Sequence, residues 1–144
     1  MTNAPRIIPE LDVSSLERSL AFYVEILSFR VLYERPEERF AMIDMDGARL
    51  MLEEADGPGR RFRTAPLERP YGRGVNFQIQ VDDARSLYAR VVESGGEVLI
   101  PLEARWYRVG ANERGNEQFV ACDPDGYLLR FFSDLGLRPA EVVA

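Results

Sequence analysis

The chain contains no histidine and no lysine, and all 18 of its basic residues are arginine. An imidazole base, an imidazole metal ligand and a lysine Schiff base are therefore excluded. Cysteine occurs once, at Cys122, so no disulfide closes within the chain. That fits a reducing cytoplasm. No apolar run approaches the roughly 20 residues a membrane helix needs. Met1 to Arg6 lacks the apolar stretch of an export signal. Basic charge is also in deficit: the net charge is −6 and the isoelectric point about 4.8. A phosphate backbone needs a basic surface, so this argues against nucleic acid. It suits a cationic partner, or simply solubility. The expectation is a cytoplasmic protein with no nucleic-acid and no membrane partner.

What is present describes an ordinary globular chain. It has 144 residues, 46% apolar and 29% charged, enough for one domain with its own core. Residues 7–13 alternate, with Leu11 and Val13 on one face and Glu10 and Asp12 on the other, as a half-buried strand does. Pro9 places that strand near an edge. Ser14 with Glu17 reads as a capping box, opening a helix with Leu16, Leu20, Tyr23, Val24 and Leu27 on its apolar stripe. Strands follow at 29–35, 40–45 and 48–54, the last two joined by the hairpin signal Asp46-Gly47.

Residues 55–73 are rich in Pro, Gly and Arg and read as a linker or crossover loop. The pattern then restarts in a second module at 74–133. Val75, Phe77, Ile79 and Val81 alternate with Asn76, Gln78 and Gln80. Asp82 and Asp83 open a second helix, which ends at Gly95-Gly96. A short strand at 97–100 precedes a loop at 101–115 carrying Trp106 and Tyr107. Strands at 119–122 and 127–133 flank the turn Asp123-Pro124-Asp125-Gly126, and 134–144 form a C-terminal tail. Ile8 and Asn76 lie 68 apart, as do Val13 and Val81, whereas Phe40 and Phe119 lie 79 apart, as do Gly47 and Gly126. The chain thus reads as two copies of one βαβββ unit spanning 7–54 and 74–133.

Alternation leaves each sheet a face turned away from its helix. That face holds Ile8, Glu10 and Asp12; Arg49, Met51 and Glu53; Asn76, Gln78 and Gln80; and Leu128, Arg130 and Phe132. It is either a face turned to water or a concave surface for a ligand.

Four segments carry a resemblance over nearly the whole chain: Pro-Glu-Leu-Asp-Val-Ser-Ser-Leu-Glu-Arg-Ser-Leu-Ala-Phe-Tyr at 9–23, Gly-Ala-Arg-Leu-Met-Leu-Glu at 47–53, Asn-Phe-Gln-Ile-Gln-Val-Asp-Asp at 76–83, and Asp-Pro-Asp-Gly-Tyr-Leu-Leu-Arg-Phe at 123–131. In this order and spacing the chain resembles the vicinal oxygen chelate superfamily of glyoxalases, bleomycin-resistance proteins and dioxygenases. The resemblance implies an α+β fold, with two βαβββ modules forming a curved, cupped mixed sheet and helices on the outer face. It also implies a homodimer.

Metal-binding members of that superfamily place histidines where this chain has Ile8 and Asn76, and glutamates where it has Met51 and Arg130. Ile and Met bring no hard donor, Asn is weak, and Arg repels a cation. No metal, no other cofactor and no catalytic residue is therefore expected. The implied reading is the branch of the bleomycin-resistance proteins, associated with antibiotic resistance: metal-independent sequestration of a bulky cationic or aromatic small molecule in a cleft at a dimer boundary. The alternative is a lyase, isomerase or dioxygenase with a non-standard site, built on carboxylates such as Glu10 and Glu53.

The candidate ligand-binding residues are Trp106, Tyr107, Asn76, Gln78, Arg130, Glu10, Glu53 and Phe40. Trp106 and Tyr107 either stack on a ligand or plug their loop. Asn76 and Gln78 supply donors and acceptors. Arg130 either holds an anionic group or pairs with Glu10 or Glu53 across the sheet. Phe40, Phe62 and Phe132 line the cleft or anchor core and loop. Cys122 reads as a buried small side chain.

Overall fold

Side-chain alternation and two helices decide the architecture. A computed structural model describes residues 4–141. Its strands are β1 (Glu10–Val13), β2 (Arg30–Arg35), β3 (Phe40–Met45), β4 (Ala48–Glu54), β5 (Asn76–Gln80), β6 (Glu97–Val109), β7 (Asn112–Cys122) and β8 (Leu128–Pro139). Helix α1 (Leu16–Leu20) continues as a π-helical segment, Ala21–Ile26, and α2 spans Ala84–Glu93. The strands form two four-stranded sheets, ordered β1-β4-β3-β2 and β5-β8-β7-β6. In each sheet the first strand runs parallel to the last, and the other ladders are antiparallel. The protein is α+β and repeats βαβββ twice. The helix of each module is the crossover its parallel pair requires.

The chain divides into two compact units. One comprises the chain up to Tyr71 together with Pro124–Gly126; the other comprises Gly72–Asp123 and the chain from Tyr127 onward. In the first, Leu11, Val13, Ala41, Ile43, Leu50 and Leu52 are buried on the helix side of the sheet. Tyr23 lies at the centre of an edge-to-face trio, 5.3 Å from Phe22 and 5.5 Å from Phe29. In the second, Ile79, Phe119, Leu129 and Phe131 pack beneath Leu87 and Val91 of α2, with Tyr88 edge-on to Phe119 at 5.2 Å. Asp83 caps α2, its carboxylate accepting from Ser86 N–H.

Three local expectations change. The N-cap of α1 is Ser15, not Ser14, with its hydroxyl accepting from Arg18 N–H. Ser14 is drawn outward instead: its N–H donates to Asp125 Oδ2 at 3.0 Å and its hydroxyl donates to Asp125 Oδ1. The buried positions of the first helical segment are Ser19, Phe22, Tyr23 and Leu27, because Leu27 N–H bonds Phe22 C=O and Phe29 N–H bonds Tyr23 C=O. Those wider turns carry the stripe away from the 3.6-residue spacing.

Finally, residues 101–115 are not a loop. β6 and β7 form one long hairpin, paired from Glu97 with Cys122 to Val109 with Asn112, and β8 runs beside it as far as Pro139. Pro101 sits where the β6 register shifts between Ile100 and Glu103, on an edge strand that tolerates the missing donor.

Candidate functional site

The ladders assign every side chain to a face. In the first sheet the face away from the helix carries Glu10 and Asp12 of β1 beside Met51 and Glu53 of β4. Phe40, Met42 and Asp44 of β3 follow, opposite Glu53, Met51 and Arg49. A bulge in β2 brings Tyr33 and Arg35 onto the same face. Phe40 is 1% exposed. The Arg35 guanidinium lies 3.9 Å over its ring, and Tyr33 stacks on it at 6.1 Å. Phe40 therefore anchors this face from beneath.

The 55–73 loop returns to this sheet. Gly59 approaches Glu53 so closely that a Cβ there would fall 1.6 Å from Glu53 Oε1. Only glycine fits that contact without displacing the carboxylate. Arg61 Nη1 stands 3.9 Å from Glu53 Oε1, and Arg63 Nε donates to Asp12 Oδ2 at 3.1 Å. Arg63 Nη2 also donates to Ala55 C=O at 2.7 Å. The arginine run of this loop thus supplies countercharges to two of the four carboxylates on the face, Glu53 and Asp12, while Phe62 remains exposed. Arg49 meets Asp44, its Nε 3.0 Å from Asp44 Oδ1, and Glu10 is the fourth. Partial desolvation, then the Glu53 and Asp12 carboxylates, raise its pKa above the ordinary carboxylate value, and Arg35 opposes them.

In the second sheet the corresponding face carries Asn76, Gln78 and Gln80 of β5 opposite Leu128, Arg130 and Phe132 of β8. Gln118, Val120 and Cys122 of β7 complete it. The three β5 amides are exposed; Gln118, Val120 and Cys122 are buried. Gln118 is the residue that the spacing count misses. Phe40 pairs with Glu53 and Gln118 with Phe132, so the counterpart of Phe40 is Gln118, at a separation of 78, not Phe119 at 79. The second hairpin turn is one residue longer, with Asp123 N–H bonding Tyr127 C=O around 124–126 in place of the two-residue Asp46-Gly47. The composition of the two turns is the signal that finds it. Phe119 points to the helix instead, against Tyr88 and Phe131.

Gln118 Nε2 donates to Tyr107 Oη at 2.7 Å and to Glu103 Oε1 at 3.3 Å. Tyr107 thereby joins the polar face of Gln118. Trp106, one residue earlier on the same strand, turns to the opposite side. It lies on Gly115, with the Arg138 guanidinium 3.9 Å above its ring. The sheets therefore bring Asn76, Gln78, Arg130 and Tyr107 together in one unit and Glu10, Glu53 and Phe40 together in the other, and leave Trp106 apart. Arg130 makes no hydrogen bond or ion pair with the described residues of its own unit, and its Nε is buried.

The residues at the four positions where the superfamily holds a metal do not fit one. Met51 lies between Glu10 and Met42, and Arg130 between Gln78 and Val120. A thioether and a permanent cation are poor company for a divalent ion. Of the carboxylates, Glu53 and Asp12 already serve Arg61 and Arg63. Among the described residues, no three His, Cys, Asp or Glu side chains are grouped to hold a metal ion. No helix there is long and apolar enough to cross a membrane.

Two βαβββ modules, each with one sheet face under a helix and the other lined by polar side chains, define the class of this protein. The chain belongs to the Glyoxalase/Bleomycin resistance protein/Dioxygenase superfamily, whose model matches residues 9–131. It is 28% identical over 137 residues to the bleomycin resistance protein of Geobacillus stearothermophilus, covering 89% of this chain and 96% of that protein. It is also 28% identical over 129 residues to the catechol-2,3-dioxygenase of Bacillus subtilis, covering 87% of this chain but 40% of that protein. The crystal structure of TioX from Micromonospora sp. ML1 superposes with a TM-score of 0.72 at 20% identity, covering 92% of this chain and all of that one, which is a likeness of fold.

Proposed function

We propose that the protein is a metal-independent small-molecule binder that sequesters a bulky aromatic or cationic ligand and does not turn it over. One observation carries the reading: the side chains at the superfamily's metal positions are Ile8, Met51, Asn76 and Arg130, a set unable to coordinate a divalent ion. The similarity to bleomycin resistance proteins over nearly the full length of both chains supports it. The binding surfaces in this reading are the polar faces of the two sheets, each taken by itself: Asn76, Gln78, Arg130, Tyr107 and Gln118 on one, and Glu10 and Tyr33 on the other, where Glu53 and Phe40 set its charge and shape. Sequestration at a dimer boundary belongs to the same proposal. Calorimetric titration with bleomycin and a panel of aromatic compounds tests it. Saturable binding of at least one compound without chemical change is expected; silence across the panel refutes it.

A second reading draws on the similarity to catechol-2,3-dioxygenase: an enzyme with a carboxylate-only metal site or metal-free acid–base chemistry. Glu53 is held by Arg61 and covered by Gly59, so Glu10 is the group left for such a role. Stoichiometric divalent metal in protein purified without chelator would establish the metal-site form of this reading in place of the first.

A further inference from the structure

Arg130 is the most informative unsatisfied group in the described chain. Three other arginines of its unit find carboxylates: Arg85 with Glu117 at 3.0 Å, Arg114 with Asp134 at 2.8 Å, Arg138 with Glu113 at 3.2 Å. Arg130, the third residue of β8 and flanked by β5 and β7, is half-buried with its Nε shielded from water, yet it has no hydrogen bond or ion pair among the described residues. Its ladder neighbours are Gln78 and Val120, neither of which brings negative charge. Of the acids on this face, Glu103 accepts from Gln118, Asp134 pairs with Arg114, and Glu97 lies opposite Cys122 at the far end of β6. A guanidinium presents a rigid planar fork of donors matched to a carboxylate, and leaving it unmet is costly. Two residues along β8, Phe132 shares the face and is half-buried, offering an aromatic surface beside the fork. The same face holds another atom the chain leaves unmet, the buried Oε1 of Gln118, directly opposite Phe132.

Resting on the binding reading above, we propose that this face selects a planar aromatic ligand bearing a carboxylate, with the carboxylate on the Arg130 fork and the ring against Phe132. The position that would hold an acidic metal ligand in the superfamily thereby becomes an anion receptor. The charge preference of the second module is then opposite to what the net charge of −6 suggests.

The test is a calorimetric comparison of two probes of like size, naphthoate and naphthylmethylamine, on the full chain. Naphthoate is expected to bind about ten-fold or more tightly than the amine, the discrimination of a charge-assisted pair. Arg130→Gln should erase that preference. Arg130→Lys should retain part of it, because the charge remains and the fork is lost. Equal affinity, preference for the amine, no binding of either probe, or a preference that survives Arg130→Gln would overturn the proposal. The wild-type comparison needs no variant, so a misfolded Arg130→Gln does not protect the idea. Binding of bleomycin or another panel compound that is indifferent to Arg130→Gln, with no naphthoate binding, would overturn this inference and leave the binding function standing. Silence from the panel as well would end both.

Discussion

Replacing Arg130 with methionine should make the unliganded protein more stable. Methionine keeps the apolar stem of the side chain on β8 beside Val120, and removes a charge with no partner among the described residues. Leaving a buried donor unmet costs about 1–3 kcal/mol, and more when the group is charged. Exchanging unbalanced buried charge for an apolar side chain of similar volume is neutral or stabilising. Part of the guanidinium reaches solvent, so we expect a net gain of about 1–2 kcal/mol. For a chain of this length that corresponds to roughly 3–8 °C in Tm. Urea unfolding of wild type and Arg130→Met at pH 7 should show a higher midpoint with an unchanged slope. The same variant should lose its preference for naphthoate, a binding group being retained at the expense of stability. Destabilisation by more than about 1 kcal/mol would refute the reasoning. It would mean that Arg130 has a structural partner and is not waiting for a ligand.

Three further outcomes follow from particular contacts. The raised pKa of Glu10 means its proton is held more tightly in the folded state, so its contribution is greatest below the ordinary carboxylate pKa and declines as pH rises through the folded value. Glu10→Gln should therefore be more stable than wild type at pH 7, the difference vanishing in urea titrations under acid conditions where Glu10 is protonated in both states. Trp106→Phe should leave the affinity of any ligand on the Gln78–Arg130 face within about two-fold, the scatter of a surface change of under 0.5 kcal/mol, because the indole faces the other side of β6; a larger loss by calorimetry would return Trp106 to the site. Ser14→Ala should cost about 1–2 kcal/mol by breaking a charge-assisted bond to Asp125, more than Ser15→Ala at the helix cap, and equal effects in parallel melts would contradict the assignment of the two serines.

Much of the fold is visible in short stretches of chain. Asn76, Gln78 and Gln80 against Phe77 and Ile79 reveal a strand with one polar face, and that face is the one observed. Asp46-Gly47 marks the β3–β4 hairpin and Asp83 the cap of α2. These features answer to dihedral preference and period, which neighbours in sequence suffice to set. The β6–β7 hairpin was hidden because Pro101 and Gly115 look like loop residues. A register shift excuses the first, and the indole of Trp106, lying on the second, occupies the space a side chain would need. Gln118 was hidden because one extra residue in the turn at 124–126 moves β7 by one position, and a slip of one exchanges its two faces.

The absent histidines, the four superfamily positions without a metal donor, and the doubled βαβββ pattern belong to the sequence alone, since residue identity and local period need no partner. Tertiary structure decided which charges are met. Arg61 and Arg63 return across the chain to Glu53 and Asp12, while Arg130 is left with none among the described residues. Such pairing depends on distance in space between residues far apart in sequence, which neither composition nor periodicity encodes.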